Sequence, residues 1–80
     1  MREELGVIKN VGFGMRDFHN GPGLWWDVHT LSGLALHSFF GESAAKVIKD
    51  ANVYDIKFLE GKVCVCEVGD GLIKFVRMFK

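Results

Sequence analysis

Five residues between Gly23 and Phe40 carry side chains able to bind a ligand or move a proton, and they recur at alternate positions: Trp25, Asp27 and His29, then His37 and Phe39. Read as an antiparallel hairpin in which Thr30 pairs with Leu34 across Leu31-Ser32-Gly33, the run places all five on one face. Trp25 then stands opposite Phe39, and Asp27 opposite His37. Such a face has three specialised uses: an aromatic shelf for a planar ligand, an Asp-oriented histidine for proton transfer, or a histidine-rich metal site. A fourth use is a contact surface, because aromatic residues supply large area with few rotatable bonds while His and Asp tolerate a polar rim. Arg16 and His19, at the mouth of the preceding glycine-rich loop, flank the same face.

Catalysis would need a nucleophile or a second acid set against one of these histidines, together with a donor for developing charge. The chain offers no such set. Ser38 falls on the opposite parity with Leu36 and Phe40, Ser32 lies in the hairpin loop, and Cys64 and Cys66 belong to a remote strand. No enzyme activity and no cofactor are expected. Cys64 and Cys66 share one face of an extended strand without the geometry of an easy disulfide, and a soft metal would need two further ligands from distant histidines. Buried strand cysteines in a reducing compartment are the expectation, with no metal. Gly12-Phe13-Gly14 and Gly21-Pro22-Gly23 do not open helices after strands, as a phosphate loop must.

The elements that must position these residues follow from periodicity. Leu5, Val7, Val11, Phe13 and Met15 share one parity of a strand from Leu5 to Phe18, and Gly6, Gly12 and Gly14 on the other parity let it bend. His19 to Gly23 is a turn. Strands follow at Leu24 to Thr30 and Leu34 to Phe40, with Leu24, Trp26, Val28, Leu36 and Phe40 expected in the core. Gly41 is the expected N-cap of a helix to about Ala51 that buries Ala44, Val47, Ile48 and Ala51, with Asn52 as its left-handed terminator. Asp55 caps one further turn through Leu59. A last hairpin, Lys62 to Val68 and Leu72 to Phe79, closes on Asp70-Gly71 and pairs Glu67 with Lys74 and Cys66 with Phe75. Val63, Val65, Val76 and Met78 then line one side, and Cys64, Cys66, Val68, Ile73 and Phe75 the other. The fold class is α+β: one domain over residues 1–80, an antiparallel five-stranded sheet, strongly bent or barrel-like, with one short helix, in the order β-β-β-α-β-β.

Composition narrows the partners. Ten basic and ten acidic residues cancel, so the single-sign field that phosphate-backbone binding requires is missing and nucleic acid is not an expected partner. No stretch approaches a membrane span, and Met-Arg-Glu-Glu at the start is polar and acidic rather than signal-like, so a cytoplasmic protein is expected. An apolar fraction of 49% with seven Phe and two Trp exceeds what so small a core hides easily. A partner or a second copy, meeting either the Trp/His face or the second face of the Cys64 and Phe75 hairpin, is expected to cover the surplus.

The pattern Gly-Leu-Trp-Trp-Asp-Val, then Gly-Leu-Ala-Leu, then Glu-Ser-Ala-Ala-Lys-Val-Ile-Lys-Asp-Ala-Asn-Val-Tyr-Asp-Ile, then Leu-Glu-Gly-Lys-Val-Cys and Gly-Leu-Ile-Lys-Phe-Val-Arg resembles small accessory proteins encoded by bacteriophages and prophages. That resemblance implies a setting in which short cytoplasmic proteins bind and disable host factors. The expected function is therefore a non-catalytic phage-type inhibitor of a host protein, such as an anti-CRISPR or other anti-defence factor. The alternative is an oligomeric sponge for a nucleotide signal, with Trp25 or Phe39 on the base and His29, His37 and Arg16 toward phosphate or ribose.

Overall fold

The computed structural model describes residues 2–17, 19 and 21–79, so Phe18 and Asn20, assigned from sequence to the first strand's end and the turn after it, lie outside the described residues. Five strands, β1 (Arg2–Asp17), β2 (Gly21–Thr30), β3 (Gly33–Phe40), β4 (Val63–Gly69) and β5 (Leu72–Met78), form one antiparallel sheet in the order β3-β2-β1-β4-β5. The sheet curls into a half-barrel, and the helix α1 (Gly41–Ala51) lies in its concave side. The expected fold class and element order are those observed.

β1 is the axis of the curl. Its first half pairs with β4 and its second half with β2, and between Lys9 and Gly12 it carries one residue more than its partner. Asn10 takes a left-handed φ of 56° at this bulge. The Glu60 carboxylate, on the turn before β4, accepts the Asn10 and Val11 backbone N–H groups at 3.1 and 3.2 Å. The extra residue reverses the alternation. Leu5 and Val7 therefore face the convex side, while Phe13 pairs with Leu24 and turns to the concave side. A single apolar parity in sequence is thus divided between two faces.

The β2–β3 hairpin corrects the expected register. Thr30 pairs with Gly33, not Leu34, and the loop is the two residues Leu31-Ser32. Thr30 Oγ1 accepts the Ser32 N–H and donates to the Gly33 carbonyl, each at 3.1 Å. Glu4, 28 residues earlier, takes the Ser32 hydroxyl at 2.7 Å and the Ser32 N–H at 3.2 Å. These bonds hold the Glu4 carboxyl below the usual carboxylate range, the Ser32 hydroxyl being the largest cause. A one-residue shift turns every β3 side chain over. His37 and Phe39 therefore face inward, opposite Trp26 and Leu24, while Leu34, Leu36, Ser38 and Phe40 face outward. Leu36 and Phe40 are not core residues.

Ile8, Leu24, Trp26, Val28, Ala44, Val47, Leu59, Cys64, Cys66 and Met78 fill the concave side. α1 starts on Gly41 with Phe40 as its N-cap, uncapped by any side chain, so Gly41 is its first residue rather than its cap. The helix ends as expected on left-handed Asn52, and Asp55 caps the short 3₁₀ turn at Ile56–Leu59 through the Lys57 N–H. In the last hairpin Asp70 and Gly71 both take positive φ, as the two-residue turn demands, and Glu67 meets Lys74 and Cys66 meets Phe75. A bulge beyond that pair turns Met78 inward opposite Cys64, so Met78 joins the cysteine side rather than the Val63 side.

Candidate binding surface

The pairings of β1, β2 and β3 lay out the convex face as four rows: Gly14, Gly23 and Phe40; Gly12, Trp25 and Ser38; Lys9, Asp27 and Leu36; Val7, His29 and Leu34. In the first two rows aromatic rings occupy the space that neighbouring strands leave by having no side chain. A Cβ added at Gly12 would come within 2.4 Å of the Trp25 indole, and one at Gly23 within 2.5 Å of the Phe40 ring. Both rings are laid against backbone instead of standing off the sheet, an arrangement in which an aromatic shields a strand glycine. The Arg16 guanidinium carbon sits 4.5 Å from the Trp25 ring centre, a cation–π contact.

Between the two rings runs an open groove of about 550 Å³, floored by Trp25, Phe40, Gly14 and Gly23 and rimmed by Arg16, His19 and Ser38. The lower rows continue the surface with exposed leucines. Leu34 is 62% and Leu36 55% exposed on β3, and Leu5 is 53% exposed beside Val7 on β1. Asp27 is tied into this face by the Asn10 side-chain amide, which donates to its carboxylate at 2.8 Å. His29 is exposed between Val7 and Leu34.

Trp25, Asp27 and His29 thus share a face as expected, with Arg16 and His19 beside Trp25. His37 and Phe39 do not join them. His37 lies across the sheet, where its Nε2–H donates to the Ile73 carbonyl at 2.9 Å and links the two edge strands β3 and β5. Phe39 packs between Trp26 and Phe75, at ring separations of 4.8 and 5.5 Å. The expected Asp27 and His37 pair does not form, because Asp27 faces Leu36. Ser38 takes the place opposite Trp25 assigned to Phe39, Leu36 takes the place opposite Asp27 assigned to His37, and Phe40 joins this face opposite Gly23. The signal for them was the glycine spacing: Gly12, Gly14 and Gly23 mark where rings can lie against the backbone.

The second surface considered from sequence, the Cys64 and Phe75 side of the last hairpin, is interior. Cys64 and Cys66 are fully buried with their sulfurs 3.7 Å apart, and Phe75 packs on the core. Burial pushes the Cys64 thiol up to about 12, helped by its neighbour, and raises Cys66 as well. Both stay protonated at neutral pH, the state least suited to nucleophilic attack or metal ligation. Among the described residues no group of three or more His, Cys, Asp or Glu side chains is placed to hold a metal ion. No helix among them is long and apolar enough to cross a membrane.

Comparison of the chain with protein-family models, with curated proteins and with solved structures returns no match.

Proposed function

We propose that this chain is a non-catalytic binding protein that acts by covering a surface of another protein with the convex face of its sheet. The observation that supports it is the way Trp25 and Phe40 are displayed. Strand glycines at positions 12 and 23 each cost about 0.5–1 kcal/mol relative to alanine, and what they provide here is space for two half-buried aromatic rings on the convex face. A folded chain gains more by burying such rings, as it does Trp26. Aromatic and arginine side chains are the usual anchors of protein interfaces, and Trp25, Phe40 and Arg16 lie at one end of a face that Leu36, Leu34 and Val7 continue. With the phage-type resemblance, the partner class is a host protein, including components of CRISPR or other defence systems, met in the host cytoplasm.

The nucleotide-sponge reading has weaker support. Arg16 already takes a face of the Trp25 ring, so a base stacking there would displace a contact worth about 0.5–1 kcal/mol. His37 and Phe39, two of its proposed ligand contacts, face the core.

The test is capture of partners from a bacterial lysate by the tagged protein and its variants. A specific partner is expected to be retained by wild type and by His37→Ala, whose side chain lies across the sheet, and lost by Trp25→Ala with unchanged far-ultraviolet circular dichroism. Retention by a folded Trp25→Ala variant contradicts the proposal.

A further inference from the structure

Resting on that reading, we infer that the groove between Trp25 and Phe40 receives an apolar side chain of the partner that is followed closely by a carboxylate. The groove floor is ring carbon and glycine backbone, with Trp25 and Phe40 on its two sides. Nothing there rewards a polar group. The rim is different: Arg16 lines it, and among the described side chains no carboxylate pairs with its guanidinium. Contact with the Trp25 ring orients that guanidinium and leaves its N–H groups pointing outward in its own plane, where a donor fork can meet an acceptor.

The charge is local. The chain as a whole carries ten basic and ten acidic residues, so no general field gathers anions at this face, and selection for a carboxylate must come from Arg16 at short range. A carboxylate suits it because the guanidinium fork donates two parallel hydrogen bonds to the two carboxylate oxygens and is already partly immobilised by the ring. The openness of the groove fits a side chain presented by a folded partner better than a ligand that must be enclosed. Its volume of about 550 Å³ leaves ample room for one phenylalanine or leucine side chain.

The probes are N-acetyl-phenylalanine, which carries the ring and a free carboxylate, and N-acetyl-phenylalaninamide, which carries the ring alone. Each is titrated into the full chain while backbone amide and indole N–H resonances are followed. The acid is expected to shift Gly14, Gly23, Ser38 and the Trp25 indole and to bind roughly threefold to tenfold more tightly than the amide, the range for a partly exposed, charge-assisted pair. In Arg16→Gln the two probes should bind alike. Equal affinities in wild type, a preference that survives in Arg16→Gln, or shifts confined to other parts of the chain overturn the inference. Adenosine monophosphate binding more tightly than the acid at the same residues overturns it in favour of a nucleotide. A partner lost on Trp25→Ala substitution but indifferent to Arg16→Gln would leave the protein-binding role standing and remove only the carboxylate.

Discussion

Replacing Gly12 by alanine tests whether the sheet is built around the Trp25 ring. Neither Gly12 nor Gly14 has a positive φ, so the backbone accepts an L side chain at both positions and only space decides the outcome. At Gly12 the new Cβ would lie 2.4 Å from indole atoms, whereas at Gly14 the nearest indole atom is 3.6 Å away, an ordinary contact. Overpacking costs about 1–3 kcal/mol, and removing a strand glycine returns about 0.5–1 kcal/mol. Gly12→Ala should therefore lose up to about 2.5 kcal/mol net, or, if the indole swings away, lose its contact with Arg16, about 0.5–1 kcal/mol. Gly14→Ala should be neutral or gain about 0.5–1 kcal/mol. Urea denaturation followed by circular dichroism measures both, and the Trp25 indole N–H resonance reports whether the ring moved. In a Trp25→Ala background the penalty at Gly12 should vanish, which isolates the contact from any backbone effect. Gly12→Ala with wild-type stability and an unmoved indole, or a penalty that persists without the indole, would refute the reasoning.

Two further outcomes follow from the concave side. The Cys64 thiol, raised from 9.0 to about 12 by burial, keeps its proton in the folded state where the unfolded chain has released it. Its contribution is therefore fully present below about pH 9 and is lost as pH rises toward about 12, with an upper limit of about 4 kcal/mol. Denaturation midpoints should fall less steeply across this range for Cys64→Val than for wild type, and equal slopes would contradict the assignment. His37→Ala removes the hydrogen bond from Nε2 to the Ile73 carbonyl and should cost about 1–3 kcal/mol, measured by the same denaturation; a loss below about 0.5 kcal/mol would show that β3 and β5 are held by packing alone.

What the sequence made legible was local. Asp70-Gly71 dictates a tight turn whatever surrounds it, and Glu67 and Lys74 then fall opposite each other. Asn52 ends a helix and Asp55 caps the next turn through bonds to residues within three positions of themselves. The register of β3 was not local. It is set by Thr30 and by the Glu4 carboxylate reaching Ser32 from the start of the chain, and β3 gives little internal guidance because both its faces are partly apolar. Leu36 and Phe40 read as core, yet Ala35, His37 and Phe39 are the residues that turn inward, opposite Val28, Trp26 and Leu24. The β1 bulge has the same origin, since Glu60 fixes Asn10 and Val11 across 50 and 49 residues of chain. Trp25, Asp27 and His29 consequently share the expected face because they lie on β2, whose alternation is clean, while His37 and Phe39, on β3, turn to the other side.

Once the register is corrected, the two tryptophans define the two faces of the molecule. Trp26 is fully buried and anchors the concave core with Phe39 and Phe75. Trp25 lies over glycine on the convex side with Arg16 upon it. Part of the surplus of apolar residues lies on that convex side, where Leu5, Leu34 and Leu36 remain exposed, and part lies elsewhere, at Phe13, Leu31, Tyr54 and Phe58 among others. Burying such a set in a contact is favourable by about 25 cal/mol per Å², less the entropy lost in association.

The most direct test of the convex face as the binding surface is site-specific photo-crosslinking in a bacterial lysate. A photoreactive side chain is placed either at Ser38, on the rim of the groove, or at Lys46, exposed on the helix. A discrete crosslinked partner is expected from Ser38 and none from Lys46, with the Ser38 product disappearing in Trp25→Ala. A partner trapped from Lys46 and not from Ser38 would place the contact on the helix side and contradict the account.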